Sequence, residues 1–122
     1  MIGYVTLGSE DLARAGAFYD ALLAELGAAR AMESERFIVW ATAAGAPMFG
    51  VFTPYDGQPA SVGNGSMVAL AAGSRERVDT LYAKALALGA TDDGAPGERM
   101  QGFYGGYFRD LDGHKLNFFH LG

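Results

Sequence analysis

The second half of this chain repeats the pattern of the first. Tyr4-Val5-Thr6-Leu7 aligns with Met67-Val68-Ala69-Leu70, Phe18-Tyr19 with Leu81-Tyr82, and Leu26-Gly27-Ala28 with Leu88-Gly89-Ala90, at a nearly fixed offset of about half the chain. Such a duplication restricts the fold to two modules of the same topology. In the first, Ile2 to Leu7 alternates as a strand, with Val5 and Leu7 on one face and Tyr4 and Thr6 on the other. Ser9 then stands as an N-cap. Glu10 and Asp11 suit the positive end of a helix dipole, and Leu12, Ala15, Phe18, Tyr19, Leu22, Leu23 and Leu26 recur at helical spacing up to Gly27. That predicts a helix of about five turns. Phe37 to Ala41 and Met48 to Phe52 read as strands across a turn with Gly45 and Pro47, and a weaker strand is expected at Ala29 to Glu33.

Thr53 to Gly65, with its prolines and glycines, reads as a loop joining modules at about 1–53 and 65–122 within a single domain. In the second module Ser74 caps a helix carrying Val78, Leu81, Tyr82, Ala85 and Leu88, and Gly89 ends it. The chain closes on two apolar runs flanking Asp112-Gly113, a pair that supplies the positive φ of a tight hairpin. Tyr107 to Asp110 and Lys115 to Phe119 are its predicted strands, with Gly105-Gly106 as a bend or bulge ahead of them and the acids Asp92, Asp93 and Glu98 in loops or at strand ends. Asn117 is the one polar residue in the apolar run Leu116 to Phe119.

Composition narrows the function classes. Half the residues are hydrophobic and 19% charged, so the chain is globular. A formal net charge of −5 argues against nucleic acid and anionic membrane as partners, because both require clustered Lys and Arg. With no cysteine there is neither disulfide nor thiolate metal site. No apolar run is long enough to span a bilayer, and Met1 runs into Ile2-Gly3-Tyr4 without a signal-peptide pattern, so a cytoplasmic location is expected. Neither a nucleophile elbow nor a phosphate-binding glycine loop is present, since Gly63-Asn64-Gly65 precedes a strand.

With its paired β-α-β-β-β halves, the opening Tyr-Val-Thr-Leu-Gly-Ser-Glu-Asp-Leu, the central Gly-Asn-Gly-Ser-Met-Val-Ala-Leu and the closing Arg-Asp-Leu-Asp-Gly-His-Lys-Leu, the chain resembles the vicinal oxygen chelate superfamily. That group includes glyoxalase I, extradiol dioxygenases, fosfomycin-resistance enzymes and bleomycin-resistance proteins. The resemblance implies an α+β fold whose two modules form a curved, mostly antiparallel eight-stranded sheet around a cleft, with helices outside. It also implies a homodimer, since many relatives dimerise.

Metal ligands of that superfamily are His, Gln or Glu on the inward faces of the first and last strands of each half. Carried onto this chain, those positions are Tyr4, Gly50, Met67 and Asn117. None is a normal ligand: glycine has no side chain, a thioether is soft, a phenol needs deprotonation and an amide oxygen is neutral. The expected cofactor is therefore none, with a divalent metal as the alternative. Neither histidine supplies a ligand pair. His114 follows the turn glycine and is expected to be exposed, and His120 has the opposite strand parity from Asn117.

By parity Tyr4, Thr6, Gly50, Phe52, Met67, Ala69, Asn117 and Phe119 share the face away from the helices, with Trp40, Phe103, Tyr104 and Tyr107 as additions. The implied function is binding of a small aromatic or cationic molecule in an aromatic-lined cleft by Tyr4, Trp40, Phe52, Met67, Tyr104 and Asn117, without the family metal. The alternatives are a metal-dependent lyase, isomerase or dioxygenase of the glyoxalase I type, and side chains that pack as plain core. Whether the chain is an enzyme is left open by the resemblance.

Overall fold

The computed structural model describes residues 1–122. It divides into two compact units, Met1–Val62 and Gly63–Gly122. The first contains β1 (Tyr4–Gly8), α1 (Leu12–Ala24), β2 (Ala29–Glu33), β3 (Phe37–Ala41) and β4 (Met48–Phe52); the second contains β5 (Val68–Ala71), α2 (Arg75–Ala87), β6 (Thr91–Met100), β7 (Phe103–Arg109) and β8 (Lys115–Leu121). The predicted α+β class and the repeat both hold. The eight strands fall into two four-stranded mixed sheets, ordered β1-β4-β3-β2 and β5-β8-β7-β6. In each sheet the first strand runs parallel to its neighbour and the other pairings are antiparallel. A parallel pair needs a long crossover, which the helix and the two middle strands of each unit supply.

In the first unit α1 covers one face of its sheet. Phe18, Tyr19, Leu22 and Leu23 are buried there with Ile38, Trp40, Phe49 and Val51. The Tyr19 ring lies 4.7 Å from Phe49 and 5.7 Å from Trp40. Each such side chain contributes about 1.5–3 kcal/mol when fully removed from water. In the second unit Val78, Leu81 and Ala85 of α2 are buried with Phe108, Leu116 and Phe118, and the Phe108 and Phe118 rings stack at 5.5 Å. Each unit thus carries its own helix-on-sheet core, and its sheet has a second, open face.

Several expectations are corrected in detail. The N-cap of α1 is Asp11, whose carboxylate accepts from the Arg14 N–H, while Ser9 accepts from the Asp11 N–H one step earlier. The helix is shorter than five turns because its cap comes later and its end at Ala24 earlier. Ser74 does cap α2, accepting from the Arg77 N–H. Thr91 to Met100, whose composition predicts loops or strand ends for its acids, is a strand; its register against β7 slips at Asp92/Gly94, Gly94/Gly97 and Glu98/Met100, which absorbs the glycines and the proline. Gly105 and Gly106 are paired strand residues opposite Phe119 and Phe118, so β7 begins at Phe103. His114 is buried at 7% exposure, because the Asp110 carboxylate closes the hairpin by accepting from the backbone N–H groups of Asp112 and His114.

Candidate functional site

Pairing fixes which side chains share the open faces. In the first unit Tyr4 lies opposite Met48, Thr6 opposite Gly50, and Gly8 opposite Phe52. Tyr4, Thr6 and Phe52 line a hollow of about 590 Å³, closed at one end by the loop Thr53–Ser61. The loop is tied back where the Ala60 N–H donates to the Glu10 carboxylate and the Arg36 guanidinium donates to the Thr53 carbonyl. Phe52 stacks on Phe37 at 5.0 Å, and Arg36 lies over the exposed Tyr55 ring at 5.3 Å. Another hollow of about 540 Å³, at the far end of this sheet, is walled by small residues. Its one ionised wall group, Arg30, is already held by Asp20 and Glu33.

The open face of the second unit is ordered along β7 and β8. From one end it presents Phe103, then Gly105 with Phe119, then Tyr107 with Asn117, then Arg109 with Lys115. Phe103 and Phe119 stack nearly parallel at 5.7 Å. Asn117 beside them is 0% exposed, and neither its amide oxygen nor its amide nitrogen has a hydrogen-bond partner. Gly105 makes room for it: a Cβ there would lie 3.4 Å from the Asn117 amide nitrogen and 3.1 Å from the Phe103 ring.

Of the residues expected to bind a ligand, three lie on open faces, Tyr4 and Phe52 in the first unit and Asn117 in the second, while Met67 immediately precedes β5. Tyr4 and Met67 are 63% and 44% exposed. Trp40 and Tyr104 are not with them. Trp40, 1% exposed, packs on the helix side against Tyr19, and its indole N–H donates to Asp20 at 2.9 Å. Tyr104 has the parity opposite to Gly105, and its hydroxyl donates to Asp79 of α2 at 2.6 Å under the Arg75 guanidinium. Arg36, Tyr55, Arg99 and Lys115, which do sit at the open faces, were not singled out by the sequence. Arg99 in particular lies in a segment that carries no strand signal.

The shifted titrations belong to the helix sides. Hydrogen bonds from Arg30, and secondarily from Trp40, hold Asp20 below the usual carboxylate range against the opposing effect of burial, and Arg75 does the same for Glu98. Burial, reinforced by Asp92, pushes Tyr82 up to about 12. Hydrogen bonding to Asp79 raises Tyr104. These pairs brace helices and edge strands.

The four family metal positions do not suit a metal. Gly50 is occupied by its neighbours, since a Cβ there would meet the Phe52 ring at 2.8 Å and Val39 at 3.2 Å. Tyr4, Met67 and Asn117 add no carboxylate or imidazole. No group of three or more His, Cys, Asp or Glu in the chain is arranged to hold a metal ion. What the open faces offer chemically is ring stacking, one buried amide and a set of cations.

Comparison with known proteins gives a consistent result. The sequence model of the Glyoxalase/Bleomycin resistance protein/Dioxygenase superfamily matches residues 1–118. The crystal structure of a glyoxalase/bleomycin resistance protein from Albidiferax ferrireducens superposes with a TM-score of 0.91 at 37% identity, covering 100% of this chain and 99% of that one. A glyoxalase/bleomycin resistance protein/dioxygenase family enzyme from Burkholderia phytofirmans gives 0.80 at 20% identity over 98% of both chains. A glyoxalase-related enzyme from Fulvimarina pelagi gives 0.78 at 20% identity over 98% of this chain and 86% of that one, and these two likenesses bear on fold alone. No curated protein matches the chain significantly.

Proposed function

Since the chain belongs to the glyoxalase/bleomycin resistance protein/dioxygenase superfamily, we propose that it keeps the family's open sheet face for binding a small ring-bearing molecule and does so without the family metal. Asn117 carries this reading. A buried amide with both ends unpaired destabilises a fold by about 1–3 kcal/mol, and a ligand that pairs with it would offset that cost. An amide offers a neutral donor and a neutral acceptor side by side, which suits an organic ligand and not a divalent cation. The stacked Phe103 and Phe119 beside it supply a flat apolar wall for a ring, and stacked aromatic pairs contribute about 0.5–1.5 kcal/mol beyond the area they cover. In the first unit Tyr4 and Phe52 furnish a similar wall around a hollow of about 590 Å³, within the usual range for small-molecule sites.

The test is metal analysis of protein purified without chelator, followed by a thermal-shift screen of divalent metals and aromatic small molecules. The expected outcome is sub-stoichiometric metal, no saturable stabilisation by any ion, and saturable stabilisation by a subset of the organic compounds. Stoichiometric metal, or an ion that raises the melting temperature saturably, would overturn the reading in favour of a lyase, isomerase or dioxygenase.

A further inference from the structure

Resting on that reading, we propose that the second unit selects an aryl compound carrying an oxyanion, a carboxylate or a phosphate, held by Arg99 and Lys115 beside Tyr107. Cations outnumber acids here in a protein whose net charge is −5. Asp93 is the shared carboxylate: it bonds Arg109 at 3.0 Å and stands 3.6 Å from Lys115. Arg99 has no carboxylate at all; its one hydrogen bond goes to the Ala95 carbonyl. On the helix side, by contrast, Arg75 is paired with Glu98.

Two glycines leave room for the Arg99–Tyr107 pair. A Cβ at Gly97 would lie 2.9 Å from Arg99 Nη1, and one at Gly94 would lie 3.2 Å from the Tyr107 ring and 3.3 Å from Arg99 Nη2. At Gly94, with φ +143°, the β6 register also breaks, a departure most side chains would resist. The result seats Arg99 over the Tyr107 ring at 5.2 Å, with Lys115 over the same ring at 5.4 Å. A hollow of about 370 Å³ lies between them and Asp93.

Asn117 is the independent observation that points to a ligand. It stands cross-strand from Tyr107 and two residues from Lys115 on the same face, fully buried and unpartnered. The face therefore grades from the Phe103–Phe119 stack, through the amide, to the cations. Two residues along a strand span about 6.8 Å, which is the step from the Gly105–Phe119 pair to Tyr107, and both cationic heads sit over the Tyr107 ring. That step matches a ring joined to its acid by a short chain. A cationic ligand would be repelled at the same end.

Phenylbutyrate, its uncharged amide phenylbutyramide and phenylpropyl phosphate are titrated into the full chain by calorimetry at low and high salt. Wild type is expected to bind at least one of the two anions, at least tenfold more tightly than the amide, with affinity falling as salt rises. Whichever anion binds more tightly identifies the headgroup. Arg99→Gln and Lys115→Gln are each expected to weaken the anion at least fivefold and to leave the amide unchanged. Arg99→Lys is expected to recover part of the loss, since it keeps the charge but not the guanidinium fork. Equal affinity for anion and amide, anion binding unchanged in folded Arg99→Gln and Lys115→Gln, or no saturable binding of either anion overturns the inference. If these two glutamine variants bind like wild type while Asn117→Leu abolishes binding of all three probes, the charged subsite fails and the metal-free binding reading stands. If binding is also indifferent to Asn117→Leu, both fail.

Discussion

Replacing Asn117 by leucine separates a functional amide from a structural one, because the two predict opposite signs. Leucine keeps the branching of asparagine at Cγ and exchanges the amide oxygen and nitrogen for methyl groups. In a site with no hydrogen-bond partner for either atom, that exchange removes the desolvation penalty of an unpaired buried amide, about 1–3 kcal/mol. Unfolding entropy near 2.1 cal/mol/K per residue gives about 0.26 kcal/mol/K for this chain, so each kcal/mol moves the melting temperature by roughly 4 °C. The expected rise for Asn117→Leu is about 4–12 °C by calorimetry. Leucine is slightly larger, and overpacking in a tight core opposes the gain by about 1–3 kcal/mol. The shorter Asn117→Val, which also suits a strand, is therefore measured beside it. Both variants are expected to lose at least tenfold in affinity for a ligand that stabilises wild type. A lower melting temperature in both would show that the fold itself satisfies the amide, and unchanged ligand affinity would remove Asn117 from the site. Either result refutes the reasoning.

Trp40→Phe is expected to destabilise by about 1–3 kcal/mol, through the lost hydrogen bond to Asp20 and the lost ring area, and to leave ligand affinity unchanged because Trp40 lies under α1; urea unfolding and a ligand titration check the two halves. On the acid side Asp20, Asp92 and Glu98 are all held below their ordinary values, so the unfolded chain takes up protons first and stability should fall as pH drops through and below the normal carboxylate range. Arg30→Gln should shrink the part due to Asp20, read as a flatter dependence of the urea midpoint on pH. On the alkaline side Tyr82 keeps its proton to about 12 against an ordinary 10.0, so the folded state binds more protons than the unfolded state and stability should decline over that window. Tyr82→Phe should flatten that decline, and an unchanged slope would exclude Tyr82 as its source.

The parts of the fold that could be read from the sequence were those written in local chemistry. Ser74, Gly27 and Gly89 mark helix ends through their own conformational preferences, and Asp112-Gly113 marks the hairpin in the same way. The side assigned to Trp40 could not be read, because Phe37-Ile38-Val39-Trp40-Ala41 is apolar on both faces and period-two alternation has nothing to sort. The pairing settles it, setting Trp40 opposite Phe49 on the side of α1, where Asp20 accepts from the indole. The side of Tyr104 is hidden for a related reason: the glycine pair after it masks the parity of β7, and its partner Asp79 comes from the helix.

The segment Thr91–Met100 shows the same limit from the other direction. Two glycines and a proline argue against a strand locally, yet β7 supplies a pairing edge and the register slips let the glycines in. Those glycines then make sense as clearance for Arg99, a purpose that only the folded neighbourhood reveals. Asn117 lies between the two cases. It was visible as the polar residue that breaks an apolar strand, but whether a buried amide is satisfied depends on every chain segment that reaches it. Natural sequences agree with their folds at nearly all positions, and the exceptions gather where function has been selected at the expense of stability. An amide that the strand pattern does not require and that the completed fold leaves unpaired is such an exception at both levels. That double mismatch makes Asn117, and not the more conspicuous aromatic residues, the centre of the candidate site.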